Sequence, residues 1–377
     1  MSDVTSRPDR RWILQSAAMG AGAVVTGCGP SGSKADAVDA AVEWARTNLP
    51  RSTPDIIRMA SKEGHLTLTM LNQGGNTDIL KSLIQGFNRR YPFITVESTA
   101  QSTLQLLNKF NAELNAKKGT TDYINFPGNL HTTGLLEKQG AILPFVISQD
   151  EAFSASAKRS GLWYAWRIEH AATAYRKGAL SPEELKLIRT FEGLGDARFR
   201  NRIAIGNIPN STTASGCFIL MYKSDPKLWQ GLIANKPRVK TSGPALVDGL
   251  LAGEHDIAVL AGSVSFIGAA HSGAPLEFGV SSPYPPVYTP GGISALAPHP
   301  NAAKLWQDWV MSAEGQRILV DASGLGSSRT DLGIKPWSEQ QPWYFKDSAG
   351  QVEIDWDDFA QRQSDMVARF GKDLQKG

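Results

Sequence analysis

Apolar positions along the chain switch between two spacings from residue 65 onward. The stretch "HLTLTML" (65–71) alternates as a half-buried strand does, and the segment after it places its apolar residues on one helical face. The same succession returns with "FITVES" (93–98), a second amphipathic helix and "DYINF" (122–126). Strands that alternate with helices in this way predict a mostly parallel sheet covered by helices.

A second block of the same kind begins near residue 170 and runs to about 284. It contains the predicted strands "RIAIGN" (202–207) and "HDIAVL" (255–260) with helices around them. The chain then passes through "GGISALA" (291–297) into a helical region at 301–322. This order predicts two α/β units, the first of which the chain leaves and later re-enters.

Capping residues indicate where several helices begin and end. Two helices are predicted ahead of the first strand, at 36–48 and 54–62, the second with Thr53 as N-cap and Pro54 at its first position. Ser312 is the expected N-cap of a later helix, which ends at Gly324. A last amphipathic helix is predicted at about 357–374.

Ligands of open parallel sheets sit beyond the carboxyl ends of the strands. Loops after the first and third predicted strands are therefore candidate ligand loops. Their candidate ligand-binding residues are Gln73, Gly74, Gly75, Gly128 and Asn129.

The turn "NIPNSTTASG" (207–216) carries the strongest local signal for a binding site. Hydroxyl side chains cluster where a strand becomes a helix, at Ser211, Thr212, Thr213 and Ser215. Amide N–H groups at a helix start, joined by hydroxyl donors, form an anion site, and the absence of a P-loop lysine argues against a nucleotide. Simple helix capping explains the same residues, so both interpretations stay open.

Aromatic residues mark the junctions between the two units. "GLWYAWRIEH" (161–170) contributes Trp163, Tyr164 and Arg167, a set that suits stacking on a ligand and pairing with its carboxylate or phosphate. "SPYPPVYTPGG" (282–292) contributes Tyr284 and Tyr288 at the return junction. Packing between the units is the alternative interpretation for all five residues.

The N-terminal stretch "DRRWILQSAAMGAGAVVTGC" (9–28) joins two arginines to a mild apolar run that ends at Cys28. The run is too short and interrupted for a membrane-spanning helix, which needs about 20 apolar residues. It resembles a twin-arginine export signal followed by a lipoprotein processing site, which implies removal of residues 1–27 and lipidation of Cys28. A tail with chance arginines and a spare cysteine is the other interpretation.

Composition excludes several classes of protein. The formal charge of +3 over 377 residues gives no electrostatic signature of a nucleic-acid partner, and two cysteines form no disulfide framework. Cys217 lies in the apolar stretch "GCFILMY", which predicts a buried structural thiol. The scattered histidines match no metal-binding helix motif, and there is no nucleophile elbow. We therefore expect no enzyme, no cofactor and no bound metal.

Seven stretches in order, from about residue 55 to 335, resemble the extracellular solute-binding proteins of ABC importers, in the group of ferric-iron and phosphonate binders. The most specific is "APHPNAAKLWQDWVMSAEGQRILVDASGLGSSRTD" (297–331). Other matching stretches are "ASKEGHLTLTM", "LIQGFNRRYPFITVE", "LLEKQGAILPF", "ATAYRKGALSPEEL", "GDARFRNRIAIGN" and "LVDGLLAGEHDIAV".

The resemblance implies the two-lobed type II fold of periplasmic binding proteins, with two α/β lobes that close around a solute. It implies that an exported monomer, held at the membrane by its lipid, delivers the solute to permease and ATPase subunits. The expected division is 1–27 export signal, 28–60 tether and N-terminal helices, 61–168 with 286–345 lobe 1, 169–285 lobe 2, and 346–377 C-terminal helix. A secreted enzyme or a sensor on the same scaffold are the alternatives.

Departures from the family pattern bear on the solute. Ferric-iron members carry His, Tyr or Glu after the first and third strands and paired tyrosines in the second lobe. In this chain the corresponding positions are 73–75, 127–129 and 261–265, and none of them has a tyrosine or an acidic side chain. Gly262 and Ser263, in the last of these segments, are further candidate ligand-binding residues. With the hydroxyl turn at 211–215, this favours a small organic anion such as a phosphonate, phosphate ester or carboxylate, with ferric iron as the alternative.

Overall fold

The polypeptide folds as two β-sheets with helices packed against them, seen in a computed structural model. It describes residues 33–71, 76–101, 103–125, 136–208, 211–353, 355, 362, 365–366 and 368–374. The strands are β1 His65–Leu71, β2 Thr95–Gln101, β3 Tyr123–Asn125, β4 Lys158–Arg159, β5 Trp163–Glu169, β6 Ala171–Arg176, β7 Ile203–Gly206, β8 Arg238–Lys240, β9 Ile257–Gly262, β10 Leu276–Gly279 and β11 Val287–Ile293.

The helices follow the predicted alternation with these strands. They are α1 Lys34–Asn48, α2 Pro54–Glu63, α3 Asn76–Arg90, α4 Thr103–Ala116, α5 Pro182–Leu187, α6 Phe191–Leu194, α7 Thr212–Ser224, α8 Pro226–Ala234, α9 Gly243–Ala252, α10 Val264–His271, α11 Pro300–Val310 and α12 Ala313–Ser323. Within the described residues, no helix is both long and apolar enough to cross a membrane.

Each sheet forms the centre of one lobe. The six strands of the first sheet run in the order β2-β1-β3-β11-β5-β4, and the five strands of the second in the order β10-β6-β9-β7-β8. Both sheets are mixed: β1 is parallel to β3 and β7 to β9, whereas β11 and β6 pair with their neighbours in antiparallel fashion. The prediction of mostly parallel sheets is wrong in this respect, because the strands next to the crossings run in the opposite direction. The two-lobed α/β architecture expected from the sequence is confirmed.

The lobes are joined where the chain passes from one sheet to the other. His170 is the single residue between β5 of the first sheet and β6 of the second. The chain returns through residues 280–286, between β10 and β11. We call His170 with its neighbours Glu169 and Ala171 the first crossing.

The cores differ in composition. Trp306 and Trp309 of α11 pack edge-on against Phe87 of α3 in the first lobe, at ring-centroid distances of 5.3 and 5.8 Å. The second sheet has an apolar cluster that contains Cys217 and Trp229 and a further cluster that contains Phe266 and Phe278. Cys217 is fully buried, as predicted, and burial raises the pKa of its thiol.

The C-terminal part of the chain lies on the second lobe. Trp343 and Tyr344 pack against the cluster of Phe266, although the predicted division groups residues 286–345 with lobe 1. Phe370 packs against Phe218 and Trp229. Much of the helix predicted at 357–374 lies outside the described residues, and residues 368–374 within it are helical.

Local capping explains most element boundaries. The predicted N-caps Thr53 and Ser312 accept hydrogen bonds from the first turns of α2 and α12, and Gly324 ends α12 in the left-handed conformation, φ 65°. Some boundaries differ from their predictions: β9 begins at Ile257 rather than residue 255, and β2 begins at Thr95 rather than residue 93. The amide of Ile94 donates to the Tyr91 carbonyl and closes a turn there.

Candidate functional site

Strand directions place the predicted binding segments at the junction between the lobes. β7 and β9 are parallel and end at one edge of the second sheet. β6 is antiparallel to β9, with Ala171 opposite Gly262, so the first crossing lies at that same edge. We call this region, formed by 169–171, 211–213 and 262–264, the junction edge of lobe 2.

The first lobe presents its own strand ends to the crossings. β3 runs antiparallel to β11, with Asn125 opposite Gly291, and β11 runs antiparallel to β5, with Val287 opposite Glu169. The carboxyl end of β3 therefore points toward the crossing strands, and β1 is parallel to β3. Because ligands of such sheets bind at carboxyl ends, both lobes direct their binding edges to one cleft.

The start of α7 is shaped by hydroxyl side chains. Ser211 is its N-cap, with Oγ accepting from the Ala214 amide at 3.2 Å. Ser215 Oγ donates to the Ile208 carbonyl at 2.6 Å, which ties the helix to the preceding turn, and Thr213 is buried beside them. A helix start carries several amides without intrahelical partners and the positive end of its dipole. Ser211 satisfies one amide, so this start suits an anion.

The start of α10 is shaped by the first crossing instead. Glu169 Oε1 accepts from the Val264 amide at 3.3 Å. The His170 carbonyl accepts from the Ser263 amide at 3.0 Å. A Cβ on Gly262 would lie 1.9 Å from Glu169 Oε1, so only glycine admits the carboxylate so close to the end of β9. A protein carboxylate thus holds the place that an anion would take at this helix.

Two buried residues of opposite charge on β5 interact electrostatically near the return crossing. Arg167 and Glu169 are two residues apart on β5 and so share a face, and both are buried. Burial raises the pKa of Glu169, and the Arg167 charge opposes that rise. Burial likewise lowers the pKa of Arg167, against the attraction of Glu169. Arg167 Nε also donates to Thr289 Oγ1 of β11 at 3.3 Å, which links the two crossing strands.

The predicted aromatic residues at the junctions are buried and have protein partners. Trp163 donates its indole N–H to Glu137. The Tyr164 hydroxyl donates to Asp150 Oδ1 at 2.6 Å and accepts from the Gly161 amide at 3.0 Å. These contacts place both residues in the packing of lobe 1.

The two tyrosines of the return junction lie among its packing contacts. The Tyr284 hydroxyl donates to the Asp347 carbonyl at 3.0 Å, and its ring lies 5.1 Å from that of His170. The hydroxyl of Tyr288 lies 3.2 Å from Ser156 Oγ. Burial raises the pKa of Tyr164 and that of Tyr284 to about 12, which opposes the phenolate form that binds ferric iron.

The structure brings together the lobe 2 part of the predicted site. Ser211, Thr213 and Ser215 form the α7 start, and Gly262 and Ser263 lie at the same edge. The other predicted binding residues, Gln73, Gly74, Gly75, Gly128 and Asn129, and also Cys28, fall outside the described residues, as does the side chain of Thr212.

Glu169 is the residue that sequence reasoning missed. It lies within the stretch "GLWYAWRIEH", in which Trp163, Tyr164 and Arg167 are the predicted site residues. A usable signal was the spacing of Arg167 and Glu169, since opposite charges on one face of a buried strand must pair.

Side chains that could bind a metal are sparse around the junction. Across the described ranges there is no group of three or more His, Cys, Asp or Glu side chains arranged to hold a metal ion. The described residues alone therefore do not form a ligand shell for a bare cation.

Comparison with known proteins decides the family. The model of the bacterial extracellular solute-binding proteins matches residues 68–323. The chain belongs to this family. Curated protein sequences give no significant match. Membership agrees with an architecture in which two lobes direct their binding edges to a common cleft.

Solved structures establish the shared fold. Iron-bound HitA from Pseudomonas aeruginosa aligns with a TM-score of 0.65 at 14% identity, over 81% of this chain and 99% of that one. The substrate-binding protein of an ABC transporter from Agrobacterium tumefaciens aligns at 0.64 and 16%, over 82% and 94%. A Trichodesmium protein in complex with iron and citrate aligns at 0.64 and 17%, over 82% and 99%.

These findings identify the general role of the protein. It is a bacterial extracellular solute-binding protein, a family that binds small solutes outside the cytoplasm.

Proposed function

We propose that the protein captures ferric iron together with a small organic anion such as citrate, and delivers the complex to an ABC permease. The observation that carries this proposal is the α7 start, where amides and the Ser211 hydroxyl suit an anion. Two proteins of the same fold hold iron, and one of them holds citrate as well.

The chemistry of the junction edge favours a complex over a bare ion. Hard Fe(III) requires oxygen ligands, and the described part of the chain has no cluster of three metal-binding side chains. An anion with several carboxylates supplies those oxygens itself, and its outer oxygens accept from the α7 amides. The complex then needs few protein ligands, which agrees with the missing phenolates at 261–265.

An organic anion without iron is the second candidate. The α7 start supports it equally, because a helix N-terminus does not distinguish a free carboxylate from one bound to a metal. The two candidates differ in what the cleft must accept: a ferric complex or the anion alone.

A titration with separate arms distinguishes them. The full chain, with Cys28→Ser so that the thiol does not react with iron, is titrated with ferric citrate, with citrate and with Fe(III) supplied as its nitrilotriacetate complex. We expect ferric citrate to bind at least tenfold more tightly than citrate and to raise the unfolding temperature. Equal affinity for citrate favours the second candidate, and no binding of any probe contradicts both.

We further propose export by the twin-arginine route, lipid attachment at Cys28 and action as a monomer. The arginine pair at 10–11 and the sequence "VTGC" support the first two. In the native host, Cys28→Ser should move the protein from the membrane fraction to the soluble exported fraction. Unchanged membrane association of that variant would contradict lipid attachment.

A further inference from the structure

We propose that His65 and His299 form a binding site for a late first-row divalent ion, Cu²⁺ or Zn²⁺, on the side of lobe 1 away from the cleft. His65 begins β1, and His299 immediately precedes α11. Their ring centroids are 5.9 Å apart, with an interplanar angle of 44°. Both lie at the amino end of β1, whereas the cleft lies beyond its carboxyl end.

Asp122 fixes which nitrogen of His299 is available. Its carboxylate is fully buried, and Oδ2 lies 3.0 Å from His299 Nδ1, while Oδ1 accepts from the His299 amide at 2.6 Å. A carboxylate only accepts hydrogen bonds, so Nδ1 carries the proton. Nε2 of the neutral ring therefore presents its lone pair, as a metal-binding imidazole does.

The same carboxylate also contacts the strand that carries His65. Oδ2 of Asp122 also accepts from the Thr67 amide at 2.7 Å. Thr67 is two residues beyond His65 on β1, so both side chains are on one face of the strand. A buried carboxylate that orients a histidine is the usual outer partner of a metal-binding imidazole.

A second carboxylate holds the segment of His299 against β1. Glu63, two residues before His65, accepts from the Ala302 amide at 2.8 Å and from Asn301 Nδ2 at 2.6 Å. Both bonds fix the start of α11 to the chain that enters β1. The two chain segments that carry His65 and His299 are therefore held together before any ion binds.

Geometry and accessibility suit a shared ion. With metal–nitrogen bonds of about 2.0–2.1 Å, two imidazoles on one ion have centroids roughly 5–6 Å apart. His65 is exposed and the His299 side chain is 28% exposed, so an ion can enter. Among the described residues no third ligating side chain joins them, so water completes the coordination.

The nitrogen ligands distinguish this site from the proposed cargo site. Imidazole suits Cu²⁺ and Zn²⁺, and Cu²⁺ binds most tightly in the first-row order. Ferric iron prefers oxygen ligands and is not expected here. The site and the cleft are therefore separate in place and in chemistry.

Copper binding to the full chain tests the proposal, with Cys28→Ser in every sample. We expect one equivalent of Cu²⁺ whose electron paramagnetic resonance shows nitrogen splitting from two imidazoles. His65→Ala and His299→Asn should each weaken binding at least tenfold; asparagine keeps a donor for Asp122 but removes Nε2. His271→Ala, at an exposed histidine on α10, should change affinity less than twofold.

Two results would overturn the site. One is an affinity within threefold of the parent protein for either His65→Ala or His299→Asn. The other is a bound copper whose spectrum shows fewer than two imidazole nitrogens. Because His65 is exposed at the strand start, its variant should fold normally, and a thermal unfolding curve verifies this.

Discussion

Two helices begin at the junction edge of lobe 2, and their first turns are satisfied by different chemistry. At α7 the partner is a neutral hydroxyl of the same turn, that of Ser211. At α10 the partners come from the first crossing: the Glu169 carboxylate bonds the Val264 amide, and the His170 carbonyl bonds the Ser263 amide.

The difference indicates that the two helix starts have different roles. The Glu169 carboxyl group already occupies the start of α10, so an anion there would have to displace it. The α7 start has no carboxylate among its described partners, and it is the start that we propose for the anionic part of the cargo. The α10 start instead fixes the connection between the lobes to the body of lobe 2.

Of the substitutions at these two helix starts, removal of the Glu169 carboxylate should change the free energy of unfolding most. Glu169→Ala removes the carboxylate that interacts with the buried Arg167 charge and accepts from the Val264 amide, which should lower the free energy of unfolding by about 3 kcal/mol. Urea denaturation measures the change. Glu254→Ala is the control: its side chain is 52% exposed and pairs with Lys240, so we expect a much smaller change in the free energy of unfolding. Equal effects would mean that Glu169 is not a buried structural charge.

The pH dependence of stability reports how well the first crossing is buried. Burial lowers the pKa of His170 to about 3, with a smaller effect from Lys346. The unfolded chain binds a proton below about pH 6.5, whereas the folded chain does not until far lower. The contribution of His170 to the free energy of unfolding is therefore constant above about pH 6.5. It decreases as the pH falls below that value, by up to about 1.4 kcal/mol per pH unit.

Comparison with His170→Phe isolates this contribution. Between pH 7 and pH 5 the parent protein should lose about 2 kcal/mol more than the variant, because other titrating groups are common to both. Urea denaturation at the two pH values gives the difference. Identical losses would show that the His170 ring is protonated freely in the folded protein.

Two glycine substitutions test the close approach of Glu169 to the start of α10. Gly262→Ala places a Cβ against Glu169 Oε1 and must displace the carboxylate, at a cost of about 1.5 kcal/mol. Gly268→Ala lies within α10 and meets no atom within 4 Å, so it should stabilise the protein by up to about 1 kcal/mol. Thermal unfolding of both variants measures the two changes in stability. A stabilised Gly262→Ala would contradict the close approach.

Much of the architecture follows from local sequence. Alternating apolar positions predict β1 at 65–71, and hydroxyl residues before apolar runs predict the caps Thr53 and Ser312. These signals are visible because strand alternation and capping depend on a few neighbouring residues. The α7 start could be predicted for the same reason, since Ser211 and its partner are three residues apart.

Other features depend on contacts between distant residues. Asp122 and His299 are 177 residues apart, and nothing in either local sequence indicates their pairing. The environment of Trp163 and Tyr164 also depends on tertiary packing, because an aromatic residue at a junction can face a ligand or the core. Glu169 acts at α10, 95 residues away, through a bond that only the crossing creates.

The central claim is that the α7 start binds the anionic part of the cargo, and calorimetric titration with ferric citrate tests it directly. Ser211→Ala with Thr213→Val should weaken binding about tenfold or more, as expected for lost hydrogen bonds to a charged group. Ser181→Ala, which removes the N-cap hydroxyl of α5, is the control. Like the loss of the Ser211 cap, it should lower the free energy of unfolding by about 1 kcal/mol, but it should leave the affinity for ferric citrate unchanged. Unchanged affinity in the double variant would contradict the account.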